Sequence, residues 1–329
     1  LDVIEHDSTL RVAILALNDS EQKVITIGDK LNNDLILGTI SDGDIRRAML
    51  NGASMESRVI EYANKNYYFV EDEFELAEAD KILNEGYKVV PIGRKRAENG
   101  KMLAFIQNRE ANESIELSAM IMAGGKGKRL RPLTNGIPKP MINVKGKPML
   151  HHQIDALKYS GVENIYISVG YLKEHIMDYF GDGRKLNVNI RYVVEDVPLG
   201  TAGSLNKLPS DVGPLFCVNA DLITNLEYKN MIEYWKNSDA DILTACQQYV
   251  HKVPFGVLDI QGKYVKGIHE KPTIIKYVNT GMYILGQKAL DFCRSIDREV
   301  IDIPYLIETS LENGGKVMPF VMHEPWIDV

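Results

Sequence analysis

The chain has 329 residues, of which 45% are hydrophobic and 25% charged, and its formal net charge is −7. This composition is typical of a globular protein, and single cores seldom grow beyond about 250–300 residues, so the length predicts two domains. The acidic balance argues against a nucleic-acid-binding protein, which would carry a basic surplus. No apolar run reaches the length of a membrane span and no secretory signal pattern opens the chain, so we expect no membrane association.

Three cysteines, Cys217, Cys246 and Cys293, are widely spaced and odd in number. This pattern predicts reduced, buried side chains and a cytoplasmic location. The chain begins at Leu1 instead of Met and ends at Val329 within a predicted strand or loop, so we expect it to be incomplete.

Residues 1–112 repeat one pattern of elements. The first copy has a helix over 9–17, apolar runs at 24–27 and 35–40 and a helix over 42–50; the second has a helix near 75–83 and runs at 88–92 and 102–106. A repeat of this length predicts paired small α/β modules. The polar residues that follow predict a linker, which we place at 113–116.

From residue 117 to 329 the pattern changes to alternating strands and helices. The predicted elements are strands at 118–123, 164–169 and 188–194 and helices at 149–159 and 172–180. This alternation predicts an α/β fold in which helices cover both faces of a mostly parallel sheet. Ligands bind such sheets at the carboxyl ends of the strands, so the chemical motifs should gather there.

The segment 123–134, Ala-Gly-Gly-Lys-Gly-Lys-Arg-Leu-Arg-Pro-Leu-Thr, directly follows the first of these strands. Its three glycines allow backbone N–H groups to approach phosphate oxygens, and four cations accompany them. A solvated glycine-rich hairpin is the alternative, but strand, glycines and cations together favour a phosphate site. The segment is not a P-loop, because Arg129 stands where Ser or Thr would hold magnesium, and Leu130 replaces the third glycine of a dinucleotide fingerprint.

This segment resembles the signature of the sugar-1-phosphate nucleotidyltransferases, a Gly-Gly-x-Gly-x-Arg-Leu loop followed by Pro-Leu-Thr and Lys-Pro. The matching residues are Gly124, Gly125, Gly127, Arg129, Leu130, Pro132, Leu133, Thr134, Lys139 and Pro140. Lys128 stands where Thr or Ser is usual, and Asn143 where Pro is common. The resemblance runs from about residue 117 to the last residue and implies a Rossmann-like nucleotidyltransferase domain.

Further motifs follow in the order of that family. Residues 195–203, Glu-Asp-Val-Pro-Leu-Gly-Thr-Ala-Gly, resemble its second loop and imply that Gly200 lies near the nucleobase or sugar; a helix start near Thr201 is an alternative that is compatible with this role. Asp221 ends an apolar strand, where a lone Asp is most often a turn former. The resemblance implies instead that Asp221 and Asp328, of Trp-Ile-Asp, bind Mg²⁺, which prefers a few carboxylates and phosphate oxygens.

Three short motifs complete the resemblance, although each alone would be read as a turn or strand end. Gly256 lies in Pro-Phe-Gly-Val, Glu270 and Lys271 lie in Glu-Lys-Pro, and Asn279 lies in Asn-Thr-Gly. The resemblance implies that Gly256, Glu270 and Asn279 contact the sugar and that Lys271 contacts the sugar phosphate.

The reaction implied is attack by a sugar 1-phosphate on the α-phosphorus of a nucleoside triphosphate, with release of pyrophosphate. The nucleotide-binding residues are expected to be Ala123, Gly124, Gly125, Gly127, Arg129 and Gly200. Arg129, Lys139 and Lys271 are expected to act in catalysis by neutralising charge and aligning phosphates. The attacking group is already an anion, so no general base is needed.

The stretch Gly38-Thr-Ile-Ser-Asp-Gly-Asp44 resembles the nucleotide-binding segment of cystathionine-β-synthase (CBS) domains. Ser41 would meet a phosphate at a helix N-terminus and Asp44 the ribose hydroxyls of an adenine or guanine nucleotide. A helix cap made by the same two residues explains the pattern equally well. In the second copy Ala104, Gln107 and Glu110 depart from it, so we expect at most one such site per pair.

The expected protein is therefore a transferase that makes a nucleotide sugar for a surface glycan, with a tandem CBS module in front. CBS-fused relatives resemble guanylyltransferases, which favours GTP and a mannose- or glucosamine-type 1-phosphate. Uridylyl or thymidylyl transfer to a glucose-type 1-phosphate is an alternative, as is a catalytically inactive nucleotide-sensing regulator. Paired CBS units also imply a homo-oligomer.

Overall fold

The computed structural model describes residues 3–20, 24–29, 35–65, 70–71, 89–96, 99–107, 117–125, 127, 130, 132 and 134–328. Tertiary contacts divide the chain into two units, Leu1–Glu113 and Ser114–Val329. The described helices are α1 (Leu10–Asp19), α2 (Asp42–Leu50), α3 (Met149–Tyr159), α4 (Lys173–Phe180), α5 (Gly200–Gly203), α6 (Tyr228–Lys236), α7 (Gln287–Ser295) and α8 (Ile303–Glu312).

The described strands number from β1 to β19 in chain order. They are β1 (Val3–Glu5), β2 (Val24–Asp29), β3 (Leu35–Ser41), β4 (Val70–Glu71), β5 (Val89–Arg96), β6 (Asn99–Gln107), β7 (Ser118–Met122), β8 (Asn143–Val144), β9 (Lys147–Pro148), β10 (Asn164–Val169), β11 (Asn189–Val194), β12 (Leu215–Asn219), β13 (Leu222–Thr224), β14 (Ile242–Lys252), β15 (Val257–Gln261), β16 (Tyr264–His269), β17 (Thr273–Leu285), β18 (Val317–Met322) and β19 (Trp326–Asp328).

The first unit contains two three-stranded sheets of the same design, β1-β2-β3 and β4-β5-β6. In each sheet the first pair of strands is parallel and the second pair is antiparallel. Both antiparallel pairs change register at an Ile-Gly step, Ile27/Gly28 in one and Ile92/Gly93 in the other. An internal repeat would produce this equivalence. The helix predicted near 75–83 lies outside the described residues.

The second unit is built on a seven-stranded sheet of order β11-β10-β7-β12-β17-β14-β18. Six strands run in one direction, and β17 is antiparallel to both of its neighbours. In the central strand β7, Ala119, Met120 and Ile121 are fully buried, as expected for a parallel strand covered on both faces. The prediction of an α/β fold with a parallel-rich sheet is therefore confirmed.

Helices cover both faces of this sheet. Ile121 shares one buried cluster with Ile154 of α3 and Ile176 of α4. Met120 points to the opposite face, where it shares a cluster with Leu290 of α7 and Leu306 of α8. In the part of the chain that the structure describes, no helix has the length and hydropathy needed to span a bilayer.

One edge of the sheet collects the ends of several strands. The parallel strands β7, β10, β11 and β12 all end there, and the antiparallel β17 begins beyond it. The pair β14–β17 extends past this edge, with Gln248 opposite Tyr277 and Lys252 opposite Thr273. The pair β13–β19 lies next to the end of β12, with Leu222 opposite Asp328. This carboxyl edge carries the candidate site.

Candidate active site

The glycine loop follows β7 and is fastened at both ends. Ala123 N–H donates to the carbonyl oxygen of Ser168 at 3.1 Å, and Thr134 Oγ1 donates to the carbonyl oxygen of Gly127 at 2.9 Å. Gly127 has φ +55°, and a Cβ at this position would lie 2.9 Å from Lys139 Cβ. Glycine is therefore required where the loop passes the stem of Lys139.

Lys139 links the glycine loop to the two predicted metal ligands. Its Nζ lies 2.6 Å from Asp221 Oδ2 and 3.9 Å from Asp328 Oδ1. The lysine is only 9% exposed and begins the short helical turn Lys139–Met141. Pairing of β13 with β19 brings the two aspartates together, although they are distant in sequence. The Lys-Pro motif and the two predicted metal-binding aspartates, which are separate motifs in the sequence, thus meet at the ammonium group of Lys139.

A cavity of about 230 Å³ opens at this point of the sheet edge. Its walls include Ala123, Gly125, Gly127, Lys139 and Asp221. All five are residues that the sequence placed at a nucleotide, catalytic or metal position. The cavity is concave and combines backbone N–H groups with one ammonium and one carboxylate, which suits a phosphorylated ligand.

Glu195 is a neighbour of the glycine loop to which the sequence assigned no role. A Cβ on Gly124 would lie 3.0 Å from Glu195 Oε1, so the carboxylate stands directly beside the loop. Its backbone N–H donates to the carbonyl oxygen of Val169 at 2.8 Å, and Leu199 N–H donates to Oε2 at 3.4 Å. A carboxylate immediately after a parallel strand was the signal that could have identified it.

At position 200, the neighbouring protein backbone leaves no room for a side chain. Its φ is +79°, and a Cβ there would lie 2.5 Å from the carbonyl oxygen of Ile301. The following residue, Thr201, donates its N–H to Asp302 Oδ1 at 3.0 Å and accepts from Ile303 N–H at 2.8 Å. The helix α5 begins at Gly200, and Thr201 caps α8 rather than its own helix.

Three of the residues predicted for the sugar and its phosphate, Gly256, Glu270 and Lys271, flank the hairpin β15–β16. A Cβ on Gly256 would lie 3.0 Å from Glu270 Oε2, and Lys271 N–H donates to the carbonyl oxygen of Phe255 at 3.2 Å. No hydrogen bond or ion pair found in the described ranges joins Glu270 or Lys271 to Lys139 and the aspartates. Gly256, Glu270 and Lys271 therefore lie together beyond the paired ends of β14 and β17.

Asn279 is held in one orientation by two hydrogen bonds. Its Nδ2 donates to Tyr283 Oη at 2.8 Å, and Gly281 N–H donates to its Oδ1 at 2.9 Å. Burial raises the pKa of Tyr283 to about 12, so the hydroxyl is protonated at neutral pH. The amide of Asn279 is thus fixed at the beginning of the buried half of β17.

The predictions for the cations of the glycine loop and for the three cysteines have different outcomes. Arg129, together with Lys126, Lys128 and Arg131, lies outside the described residues. The three cysteines are free and buried, as predicted. Burial raises the pKa of Cys246 and Cys293 to about 11 and also raises that of Cys217, so none is a thiolate nucleophile at neutral pH.

Ser41 and Asp44 use their side chains in a capping box at the start of α2. Ser41 Oγ donates to Asp44 Oδ2 at 2.6 Å, Ser41 N–H donates to the same oxygen at 2.9 Å, and Arg47 pairs with the other oxygen. The helix-cap alternative is therefore present in the structure. In the second copy, Ala104 and Gln107 lie on β6, and Glu110 lies outside the described residues.

A parallel-rich sheet with a glycine loop and two aspartates at its carboxyl edge has the architecture of α/β proteins that bind ligands there. Residues 118–329 match the family model described as nucleotidyl transferase. The chain belongs to this family.

Curated relatives and a solved structure are each similar to part of the chain. "Mannose-1-phosphate guanylyltransferase 1" of Arabidopsis thaliana is 35% identical over 185 residues, covering 53% of this chain and 51% of the relative. "Mannose-1-phosphate guanyltransferase" of Schizosaccharomyces pombe is 31% identical over 227 residues, covering 65% and 61%. The chain thus spans about half to three-fifths of the length of these relatives.

A crystal structure from Bacillus anthracis, named provisionally as a glucose-1-phosphate thymidylyltransferase, has the same fold. It superposes with a TM-score of 0.53 at 24% identity and covers 64% of this chain and 89% of that chain. At this identity the likeness concerns the fold alone.

Proposed function

We propose that this chain is a sugar-1-phosphate nucleotidyltransferase that transfers a guanylyl group from GTP to a mannose- or glucosamine-type 1-phosphate. The observation that carries the proposal is the position of Lys139, which lies against Gly127 of the glycine loop and 2.6 Å from Asp221. A loop for phosphates, a cation and the Asp221 carboxylate therefore adjoin one cavity at the carboxyl edge, and Asp328 faces the same cation at 3.9 Å. Membership of the nucleotidyl transferase family supports the same reaction class.

In the proposed reaction, a phosphate oxygen of the sugar 1-phosphate forms a bond to the α-phosphorus of the triphosphate. The bond from the α-phosphorus to the oxygen that bridges to the β-phosphate breaks, and pyrophosphate leaves with the electron pair. No proton has to be removed from the nucleophile. The obstacle is the approach of two polyanions, so the protein acts by aligning them and offsetting their charge.

Each residue has a separate role in this scheme. The N–H groups of Gly124, Gly125 and Gly127, with Arg129, hold the departing phosphates. Lys139 contacts the α-phosphate, where charge builds in the transition state. Lys271 steers the incoming phosphate from the side of the sugar group.

Gly256, Glu270 and Asn279 hold the sugar in the proposed complex. Glu270 stands against Gly256, and Asn279 is oriented by Tyr283. A carboxylate and a fixed amide offer acceptor and donor atoms that suit sugar hydroxyl groups.

Asp221 and Asp328 fit a magnesium ion by the chemistry of their donors. Mg²⁺ takes hard oxygen ligands, generally one or two carboxylates together with substrate phosphates, and these two carboxylates flank a single cation position occupied by the Lys139 ammonium. When bound, Mg²⁺ supplies Lewis-acid charge neutralisation at the phosphates.

The choice of guanine is supported by Glu195 and by the names of the curated relatives. Guanine presents two neighbouring N–H donors, at N1 and N2, and a carboxylate offers two acceptor oxygens that match them. Uracil and thymine present one N–H between two carbonyl oxygens, which a carboxylate suits poorly. A negatively charged Glu195 beside the loop therefore favours GTP.

The proposal is tested by measuring pyrophosphate release with four ribonucleoside triphosphates and dTTP against a panel of sugar 1-phosphates. We expect turnover with magnesium and the highest kcat/KM for GTP with a mannose- or glucosamine-type 1-phosphate. Preference for UTP or dTTP with glucose 1-phosphate would favour the thymidylyl or uridylyl alternative. No turnover with any pair, while a triphosphate still binds, would leave the inactive regulatory protein as the answer.

The first unit is proposed to be a tandem CBS module that binds one adenine or guanine nucleotide and contributes to a homo-oligomer. Support comes from its two equivalent sheets and from the Ser41–Asp44 pair at a helix N-terminus. Any regulation requires that the nucleotide bind two states of the enzyme with different affinity.

The free, buried cysteines of the second unit support the proposed cytoplasmic location.

Calorimetry can test the proposed regulatory site. The wild type should bind one purine nucleotide per chain outside the active site, and Asp44→Ala should remove this event without changing the affinity for the substrate triphosphate. Asp44→Ala also removes the N3 partner of the capping box of α2, which should destabilise the helix, so its thermal unfolding is measured in parallel. Glu56→Ala, which removes an exposed carboxylate paired with Arg11 at 2.8 Å, is the control. A wild type without a second binding event would leave the residues with their capping role alone.

A further inference from the structure

We infer that Lys139 is a built-in counter-cation that keeps the metal site closed until a triphosphate draws its ammonium away. The inference rests on the proposed function and adds to it an order of events: the nucleotide opens the carboxylates of Asp221 and Asp328 to the metal. The lysine is then a switch between two anionic partners as well as a contact to the α-phosphate.

The Lys139 ammonium already occupies the cation position that faces the two carboxylates. The Nζ of Lys139 lies 2.6 Å from Asp221 Oδ2 and 3.9 Å from Asp328 Oδ1, so one ammonium faces both carboxylates. The side chain of Asp221 is about one-quarter exposed and that of Lys139 one-tenth, which limits screening by solvent. Within the described ranges, neither carboxylate has an ion pair with any other cation.

A divalent cation and this ammonium cannot share the two carboxylates without cost. Two like charges a few ångströms apart repel strongly where solvent is partly excluded. The ammonium also occupies one lone pair of Asp221 that a metal would need as a ligand. The metal affinity of the nucleotide-free protein should therefore be low.

The stem of Lys139 gives the ammonium a second destination. It passes Gly127 so closely that a Cβ on this glycine would lie 2.9 Å from Lys139 Cβ, and the same cavity borders both Lys139 and the glycine loop. Lysine has a flexible four-carbon stem, so rotation of its side chain moves the charge from the carboxylates toward the loop. A triphosphate on the loop offers a higher density of negative charge than the carboxylates. Occupation of the loop and release of the carboxylates are thereby coupled.

The test is Mn²⁺ binding to the nucleotide-free protein with both units present, followed by electron paramagnetic resonance. Lys139→Met should tighten Mn²⁺ binding at least about tenfold, because it removes the ammonium that faces both carboxylates and with it the repulsion of a second cation. Lys139→Arg retains the charge and should leave the affinity low. Lys316→Met is the matched control. Lys316 Nζ also lies 2.6 Å from a carboxylate oxygen, Asp239 Oδ2, but both side chains are exposed. Lys316 directly precedes β18, at the amino-terminal end of the strand and away from the carboxyl edge.

A second readout is the effect of a non-hydrolysable GTP analogue on the Mn²⁺ affinity. The nucleotide should tighten Mn²⁺ binding less in Lys139→Met than in the wild type, because the ammonium that the nucleotide displaces in the wild type is already absent from the variant. Adding Asp221→Asn to Lys139→Met should abolish the gain, which assigns it to this site. Lys139→Gln, which is neutral and polar, replaces Lys139→Met if circular dichroism shows that the Met variant does not fold.

Unchanged Mn²⁺ affinity in a folded neutral variant would overturn the inference, and so would tighter binding in Lys139→Arg to the same degree as in Lys139→Met. Turnover of the wild type in the substrate screen is a separate measurement. A turnover-competent wild type with unchanged Mn²⁺ affinity in the variants refutes the switch alone. Tightened binding in a protein that turns over no pair refutes the proposed reaction alone.

Discussion

Replacing Asp221 by Asn should lower kcat by at least ~100-fold at saturating magnesium, the scale expected for loss of one major electrostatic contributor. The substitution keeps the shape of the side chain but removes the negative charge that a divalent cation requires. Its amide oxygen can still accept a hydrogen bond from Lys139, now 2.6 Å from the carboxylate, so the fold should be retained. The measurement is steady-state pyrophosphate release across a magnesium titration.

The control for this substitution is Asp239→Asn. Asp239 accepts a hydrogen bond from Lys316 at the same distance of 2.6 Å but is exposed and lies away from the cavity. Thermal unfolding of both variants shows whether lost activity reflects lost structure. Near-normal kcat in Asp221→Asn at high magnesium would remove Asp221 from the metal site and require a different set of ligands.

Elements marked by local signals were predicted well from the sequence. The bounds of α2 and α3 agree with the predicted 42–50 and 149–159 at both ends. In α2, Ser41 and Asp44 form a capping box, and this start signal is readable in the sequence because its partners are three residues apart. Strand β10 also has its predicted bounds, since a short run of β-branched and aromatic residues precedes Gly170.

The direction of β17 shows what the local pattern leaves open. Alternating strands and helices predict a parallel sheet, but β17 enters antiparallel between β12 and β14. Strand direction depends on how the chain returns across the sheet, and the long hairpin of β14 and β17 makes that return without a crossover helix. Hydrophobic periodicity is identical for a strand read in either direction, so it does not indicate whether β17 is parallel or antiparallel to its neighbours.

Contacts between residues that are distant in sequence explain which features of the site the sequence alone does not predict. Lys139 and Asp221 are 82 residues apart, and only the motif order of a family, not spacing, indicated that they meet. The nucleotide role of Gly200 stays a prediction, and the structure adds that a Cβ at this position would lie 2.5 Å from the carbonyl oxygen of Ile301. A single carboxylate at a strand end is common, so the sequence alone does not distinguish Glu195; only the structure shows that it lies beside the glycine loop.

Glu195→Gln should lower kcat/KM for GTP by roughly 10- to 100-fold and reduce the preference for GTP over UTP. A carboxylate accepts hydrogen bonds with both oxygens, whereas the amide of Gln presents one acceptor and one donor. The donor would face an N–H of guanine and leave both groups unpaired in a half-buried position, at a cost of about 1–3 kcal/mol. The same amide can pair with the N–H and a carbonyl oxygen of uracil, so activity with UTP should fall less or rise.

The adjacent Asp196→Asn is the matched control, because it makes the same change of charge at an exposed carboxylate one residue away. It should leave kcat/KM for both triphosphates within about twofold, since a surface charge contributes little to a specific contact. Competition between GTP and UTP in one reaction, with the two nucleotide sugars separated by chromatography, measures the ratio directly. An unchanged GTP-to-UTP ratio in Glu195→Gln would show that another group reads the base, because the effect claimed here is on discrimination and not on phosphate binding.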